Sequence, residues 1–261
     1  MPQPASDPPT PRFIEPKTIF LEARYCKFAR DLPQTIFYCP ECKGRGGCER
    51  CEGFGKLTKD SVQELVGRVA MPRFKARRNK FHGAGREDMD VLMLGEGRPF
   101  VVELVKSKRH DVDLEELTAD INRRAEGRME ISLLQLSSKA RVVELKEAQC
   151  SKEYRAQLAF EKEVDLPAMA EVLLAQNELL LQQRTPTRVA HRRGDLVRER
   201  KVKITGTEIV DGLLWVQLDA EHGTYIKEFI SGDDGRTVPS LTSLLGETCS
   251  CAVLDVLRVN I

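Results

Sequence analysis

Four cysteines within thirteen residues, Cys39, Cys42, Cys48 and Cys51, constrain this chain more than any other feature. Two Cys-x2-Cys pairs must bring four thiols to one point, which neither a helix nor a strand allows. Gly44, Gly46, Gly53 and Gly55 let the backbone wrap that tightly. Four soft ligands in tetrahedral number suit a structural zinc ion. An iron–sulfur cluster also accepts four cysteines, although no electron-transfer partner site accompanies it, and an unmetallated loop is the third alternative. The glycine pattern has a short likeness to the repeats of chaperone zinc domains. Cys26, Cys150, Cys249 and Cys251 are scattered and read as buried thiols; Cys249 and Cys251 make only a weak ligand pair. Clustering of this kind, in a sequence whose Met1-Pro2-Gln3-Pro4 start has no signal-peptide apolar region, points to metal in a reducing compartment, and the cytoplasm is the expected location.

The remaining composition is that of an ordinary globular protein, 261 residues with 41% hydrophobic and 31% charged side chains, so a substantial core is available. No apolar run reaches the roughly 18 residues that span a bilayer, and no membrane partner is expected. Net charge is only +1, but it is unevenly spread. Arg73, Lys75, Arg77, Arg78 and Lys80 form one basic run without an acid. A second, from Arg184 to Lys203, holds eight Arg or Lys against Asp195 and Glu199. Such runs are either solvated faces or phosphate-binding ones.

Residues 1–15 read as a flexible tail, 16–57 as an N-terminal segment carrying the cysteine module, and 58–261 as the main domain. Thr18 to Tyr25 alternates as a strand. Asp60 is placed to cap a helix through Ala70, and Asp113 one through Ala125. Val91–Leu94 and Pro99–Val105 read as two strands joined by a Gly95-Glu96-Gly97 turn. Ile131–Leu136 and Tyr154–Phe160 read as strands, Ser138 as the start of a short helix, and Leu166–Leu181 as one long helix. Asp211-Gly212 between apolar runs signals a hairpin. Gly223-Thr224 precedes a helix, Val238–Leu245 reads as another, and Ala252–Val259 as a last strand. The sum is α+β: a mixed, mostly antiparallel sheet with flanking helices.

Chemistry is expected at Gly83-Ala84-Gly85-Arg86-Glu87-Asp88-Met89-Asp90, a glycine-bearing loop that enters an apolar strand. Asp88 lies two residues from Arg86, near enough for an ion pair that would hold a carboxylate in one direction, as a nucleophile or general base requires. Asp90 has the same parity, so the two could exchange roles, and an ordinary solvated turn is the bland alternative. Tyr154 opens a strand beside Lys152 and Arg155, where its ring could stack on a nucleobase or simply be half-buried. His82 and His191 have no metal-spaced partner, and no GxSxG elbow is present.

These residues resemble a known family. Gly85-Arg86-Glu87-Asp88 is similar to the Gly-Arg-x-Asp motif of pseudouridine synthases. Its continuation through Asp90-Val91, Leu94-Gly95, Gly97-Arg98-Pro99-Phe100 and Glu103-Leu104 resembles the archaeal and eukaryotic tRNA pseudouridine synthases acting on the TΨC loop. So do Leu32-Pro33-Gln34-Thr35, Arg184-Thr185-Pro186 with Arg188-Val189 and His191-Arg192-Arg193, and Gly223-Thr224-Tyr225-Ile226-Lys227-Glu228-Phe229 with Gly232-Asp233. The resemblance runs from about Leu21 to Ile261. It implies a pseudouridine synthase fold, with 58–261 as catalytic domain, and isomerisation of a flipped uridine at tRNA nucleotide 55, with 54 a second candidate. It implies Asp88 as the catalytic carboxylate, Arg86 as its partner and Tyr154 as the stacking ring. Tyr225, Ile226, Lys227 and Leu254 would bound the substrate, and His191, Arg192 and Arg193 would meet phosphates. The chemistry would need no cofactor and no obligatory protein partner. Most of the N-terminal RNA-binding domain usual in that family has no counterpart in these 261 residues. A non-catalytic zinc-containing RNA-binding module is the competing reading, and a chaperone-like protein-interaction module a third.

Overall fold

The computed structural model describes residues 15–261, so the tail expected at 1–15 falls outside it apart from Glu15. Along the described chain run β1 (Lys17–Lys27), α1 (Val62–Phe74), β2 (Arg78–Gly83), β3 (Leu92–Ser107), α2 (Leu114–Arg124), β4 (Met129–Ile131), β5 (Gln135–Ser137), α3 (Lys139–Glu147) and β6 (Lys152–Phe160). There follow α4 (Leu166–Leu174), β7 (Leu179–Arg184), β8 (Val197–Val210), β9 (Leu213–Ala220), α5 (Ile226–Ser231), β10 (Thr237–Val238), α6 (Leu241–Leu245) and β11 (Cys249–Val259). One sheet contains all the strands, in the order β10-β7-β8-β9-β6-β11-β3-β1-β4, with β2 beside β3 and β5 beside β1. The fold is α+β, and of the strand pairings among the described residues only β11 with β3 is parallel.

Period-2 patterning builds the sheet. In β1, Ile19, Leu21, Ala23 and Tyr25 are buried while their neighbours are partly exposed, and Tyr154, Ala156 and Leu158 do the same in β6. Each fully buried Leu, Val or Phe on these faces contributes about 1.5–3 kcal/mol. α2 starts where Asp113 accepts from the backbone N–H of Glu115 and Glu116 at 2.9 and 3.0 Å, and it lays Leu117 and Ile121 on the core.

One topological detail positions the functional loop. β3 pairs with β1 along one side for most of its length. Along its other side Phe100–Val105 meets β2, whereas Leu92 and Met93 meet β11. β2 ends at Gly83 and β3 begins at Leu92, so residues 84–91 occupy the place where β3 changes partner.

Some elements differ from the sequence reading. Gly95 and Gly97 do not turn the chain: both have positive φ (59° and 75°) inside the continuous β3. A Cβ on Gly95 would lie 2.2 Å from the Leu257 carbonyl oxygen, so glycine lets β11 approach there. Ser61 rather than Asp60 caps α1, accepting from Glu64 N–H at 3.2 Å, while Asp60 accepts from Arg128 at 2.9 Å. The helix expected over Leu166–Leu181 stops at Leu174, and its second half is β7, whose Leu179–Arg184 pairs with β8. Ile131–Leu136 splits into β4 and β5, and the basic run ending at Lys80 enters a strand, β2, that its composition does not signal.

Candidate active site and metal centre

The loop between β2 and β3 is fixed through its carbonyls. Arg98 Nη1 donates to Ala84 O at 2.7 Å and Gln34 Nε2 to Gly85 O at 3.1 Å. Lys27 Nζ donates to Asp88 O at 3.2 Å and Met89 O at 2.9 Å, and Arg30 Nη1 to Asp90 O at 2.9 Å. Four carbonyls that accept from cations and one that accepts from an amide hold the backbone without regular structure. Beneath lies a buried cluster. Glu87 Oε2 sits 2.8 Å from Arg98 Nε, with both side chains 1% exposed. That Nε–H is directed off the line of a hydrogen bond, so the contact is Coulombic. The Tyr25 hydroxyl donates to Glu87 at 2.8 Å and accepts from Gln34 at 2.8 Å, and its ring meets Phe100 and Phe81 edge-on at 5.9 and 6.0 Å.

Lys27 uses all three ammonium donors, the third going to Leu32 O at 2.9 Å. Burial lowers its pKa to about 8, against opposing pulls from Glu87 and Asp90, whereas an unfolded lysine titrates near 10.4. Between those values the unfolded chain binds more protons. Stability is therefore expected to rise with pH from about 8 to 10.4, by at most about 3 kcal/mol, and to fall back as pH drops through 8. Denaturant unfolding of wild type and Lys27→Met across pH 7–10.5 checks this: the wild type gains on the variant through that window, and a constant difference would refute it.

The Asp88 side chain is 42% exposed and faces two cations, Arg188 Nη1 at 3.1 Å and Lys227 Nζ at 3.6 Å from Oδ2. Arg188 is braced from behind by Glu228, Nε to Oε1 at 2.6 Å, with Glu228 only 7% exposed. Lys227 reaches Asp90 as well, at 2.8 and 3.0 Å. Burial raises the pKa of Asp90 but Lys227 outweighs it, and the net shift is downward. The expected Arg86–Asp88 pair is corrected: among the described residues no ion pair joins them. Glu87, between them, turns into the core, and Arg86 is exposed on the cleft wall.

That wall encloses a cleft of about 590 Å³, within the range of small-ligand sites. It gathers Asp88, Arg86, Tyr154, Tyr225, Ile226, Lys227, Leu254 and Arg193, all singled out from sequence. Ile226, Leu254 and Tyr154 are buried. Burial carries the Tyr154 hydroxyl up to about 12 despite Arg98. Arg193 donates to the Tyr225 hydroxyl at 3.1 Å, and the Arg188 guanidinium lies 6.0 Å from the Tyr225 ring centre. His191 is exposed and is not among the described lining residues, and the Arg192 side chain lies outside the described residues. Arg188, Glu228, Arg98, Lys27 and Lys152 carry no role in the sequence reading; the basic block around Arg184–Lys203 and the Arg188-Val189 step of the family resemblance are the pointers to Arg188. The arrangement presents an anionic carboxylate between cations on one side, and apolar and aromatic surfaces on the other. A planar polar ring attached to a charged backbone fits it.

The four cysteine sulfurs lie within 4.8 Å of one another. Cys39–Cys48 is 3.6 Å, and Cys42–Cys51 and Cys48–Cys51 are 3.7 Å. A tetrahedral ion with bonds of about 2.3 Å to sulfur needs sulfurs about 3.8 Å apart, so the cluster can hold a metal. Backbone N–H groups of Cys48 and Gly55 donate to Cys51 Sγ, each at 3.2 Å. Burial raises the Cys51 pKa, but these donors overcome it and bring the thiol to about 7. Gly47 is required, since a Cβ there would fall 2.3 Å from Gly53 O. Cys249 is apart from this cluster, buried between Thr242 and the Ile230 carbonyl.

Residues 20–260 match the family described as Pus10, C-terminal. The chain is 44% identical over 247 residues to tRNA pseudouridine synthase Pus10 of Halorubrum lacusprofundi, covering 92% of this chain and 58% of that one. It is 46% identical over 248 residues to the protein of the same name from Methanothermobacter marburgensis, covering 95% and 61%. Among solved structures, a chain of a Cbf5-Nop10-Gar1 complex aligns over 76% of this chain and 45% of its own, at 18% identity and a TM-score of 0.42. The chain thus spans about three-fifths of the length of these curated relatives. With the family match extending over nearly all the described residues, and the cleft assembled from the sequence blocks that carry the resemblance, the chain belongs to the Pus10 family through its C-terminal part.

Proposed function

We propose that this chain isomerises uridine to pseudouridine in a structured RNA, with nucleotide 55 of the tRNA TΨC loop as its target and nucleotide 54 as a second one. The observation that carries the reading is the Asp88 carboxylate, held by Arg188 and Lys227 at the edge of a cleft shared with Tyr154. Membership of the Pus10 family and the names of the relatives support the RNA and the reaction. A loop uridine costs only a few kcal/mol to evert. Its base enters beside Tyr154, between the apolar surfaces of Ile226 and Leu254, and its sugar faces Asp88. Asp88 either bonds C1′ or takes the C2′ proton while the glycosidic bond breaks, the uracil turns, and C5 joins C1′. Both routes need a fixed carboxylate in van der Waals reach with water held back. Arg86 and Arg193 on the rim meet phosphates. The cysteine module holds one zinc ion as a structural brace. The close sulfur spacing fits a single ion, whereas a multi-iron cluster would spread the thiolates farther apart.

Incubation of a transcribed tRNA with the protein, followed by carbodiimide labelling, tests the reading and maps the product. A label at 55, alone or with 54, is the expected result. RNA that is bound yet remains unlabelled would instead support the non-catalytic zinc-containing RNA-binding module.

A further inference from the structure

Lys152 is a buried cation in the cleft lining that has no part in the isomerisation as described above. It is 8% exposed, starts β6 two residues before Tyr154, and shares the cleft lining with it. Among the described residues its Nζ makes a single, long hydrogen bond, 3.5 Å to the Cys150 carbonyl. The neighbouring Arg98 has its countercharge in Glu87 at 2.8 Å, while among the described residues no carboxylate forms an ion pair with Lys152. The functional loop passes over both cations: a Cβ on Gly85 would lie 3.2 Å from Arg98 Nη1 and 3.9 Å from Lys152 Nζ. Arg98, Lys152 and Glu87 together leave one uncompensated positive charge at the cleft floor. A buried charge without a partner is costly, and a transient anion arriving there would relieve the cost. Burial lowers the Lys152 pKa and Arg98 adds to this, with Cys150 pulling the other way, so an anionic acceptor would also secure the proton.

We propose that Lys152 is a catalytic residue that donates a hydrogen bond from its ammonium to a carbonyl oxygen of the uracil as the base leaves the sugar. This rests on the isomerase reading. When the N1–C1′ bond breaks, its electron pair stays with the base and spreads over N1, O2 and O4. C1′ is satisfied by an Asp88 oxygen, or by a C1′–C2′ double bond after Asp88 takes the C2′ proton. The uracil anion must then turn without escaping. Lys152 lies beside Tyr154 on the floor, away from the exposed arginines of the rim, so it meets the base and not the phosphates. Re-bonding of C5 to C1′ breaks the C1′–oxygen bond to Asp88 on the first route, or uses up the C1′–C2′ double bond as Asp88 returns the C2′ proton on the second; the C5 proton then leaves and a proton goes to N1, so nothing is consumed.

The test compares uridine with 5-fluorouridine in the same transcribed tRNA, because fluorine stabilises the departing anion by itself. Lys152→Met is expected to lower the single-turnover rate on uridine by about 10²–10³-fold, the worth of one preorganised donor to developing negative charge. RNA affinity should stay unchanged. On 5-fluorouridine, followed as loss of the parent nucleotide by chromatography and mass spectrometry, the loss should shrink to about tenfold or less. Lys152→Gln, which keeps a neutral donor, should fall between wild type and Met, and it serves if the Met variant does not fold. A Met or Gln variant matching wild type on uridine, or losing equally on both RNAs as a merely structural residue would, overturns the assignment. A wild-type protein inert on uridine sinks the isomerase reading and this assignment with it; an active wild type with an indifferent Lys152 variant sinks the assignment alone.

Discussion

Asp88→Asn is expected to bind tRNA as tightly as wild type and to form pseudouridine at least about a thousand-fold more slowly in single turnover. The amide matches the carboxylate in shape, so the loop, held through backbone carbonyls by Lys27, Arg30, Arg98 and Gln34, has no cause to move. What is lost is the anionic oxygen. Removing that charge also leaves the site more positive, with Arg188 still tied to Glu228 and Lys227 still tied to Asp90. Phosphate affinity should therefore hold or increase, and a filter-binding titration at fixed salt measures it. A variant that binds poorly but turns over every bound RNA would reverse the assignment, making Asp88 a docking residue.

The second large effect concerns the cysteine module. Cys51→Ser removes the buried thiolate that accepts both backbone donors, and with it the metal. Structural zinc in small peptides is worth about 10–16 kcal/mol of apparent binding free energy, more than a loop of this glycine content can replace. Elemental analysis should fall from one zinc per chain to none, and limited proteolysis should cut between residues 38 and 57. The sheet should stay resistant, because the module's two ends are joined to each other, by the Tyr38–Lys56 bridge and by Leu57 N–H donating to Phe37 O at 2.9 Å, and it contributes no strand to the sheet. Since Phe37 lines the cleft, RNA turnover should weaken with the metal. A serine variant that retains one zinc would end the four-thiolate assignment.

Local chemistry was legible in the sequence and long-range pairing was not. Four thiols in thirteen residues can do little except converge, and the structure places their sulfurs within 4.8 Å. The 83–90 loop and Tyr154 stood out as residue types and the 223–229 block through the family resemblance, and the fold brings residues of all three to one cleft. The countercharge of Asp88 did not: Arg188, 100 residues away, reaches it, while Arg86, on the other side of Glu87, does not. Glu87, between them, is buried against Arg98 and Tyr25, and the countercharge comes from long-range packing that residue order does not show. The helix expected to reach Leu181 failed for a related reason. Leu173, Leu174 and Leu179–Leu181 satisfy helical and strand periods alike, and pairing with β8, made elsewhere in the chain, settles the choice. The glycines of β3 signalled a turn by composition, when what they provide is room for a neighbouring backbone.

That β3 exchanges β2 for β11 along one edge makes the cleft a product of long-range docking. β2 and β3 flank the loop bearing Asp88 and pair locally, whereas Leu254 lines the cleft from β11. A folding intermediate that has closed β2 on β3 alone therefore carries the loop without the pocket around it.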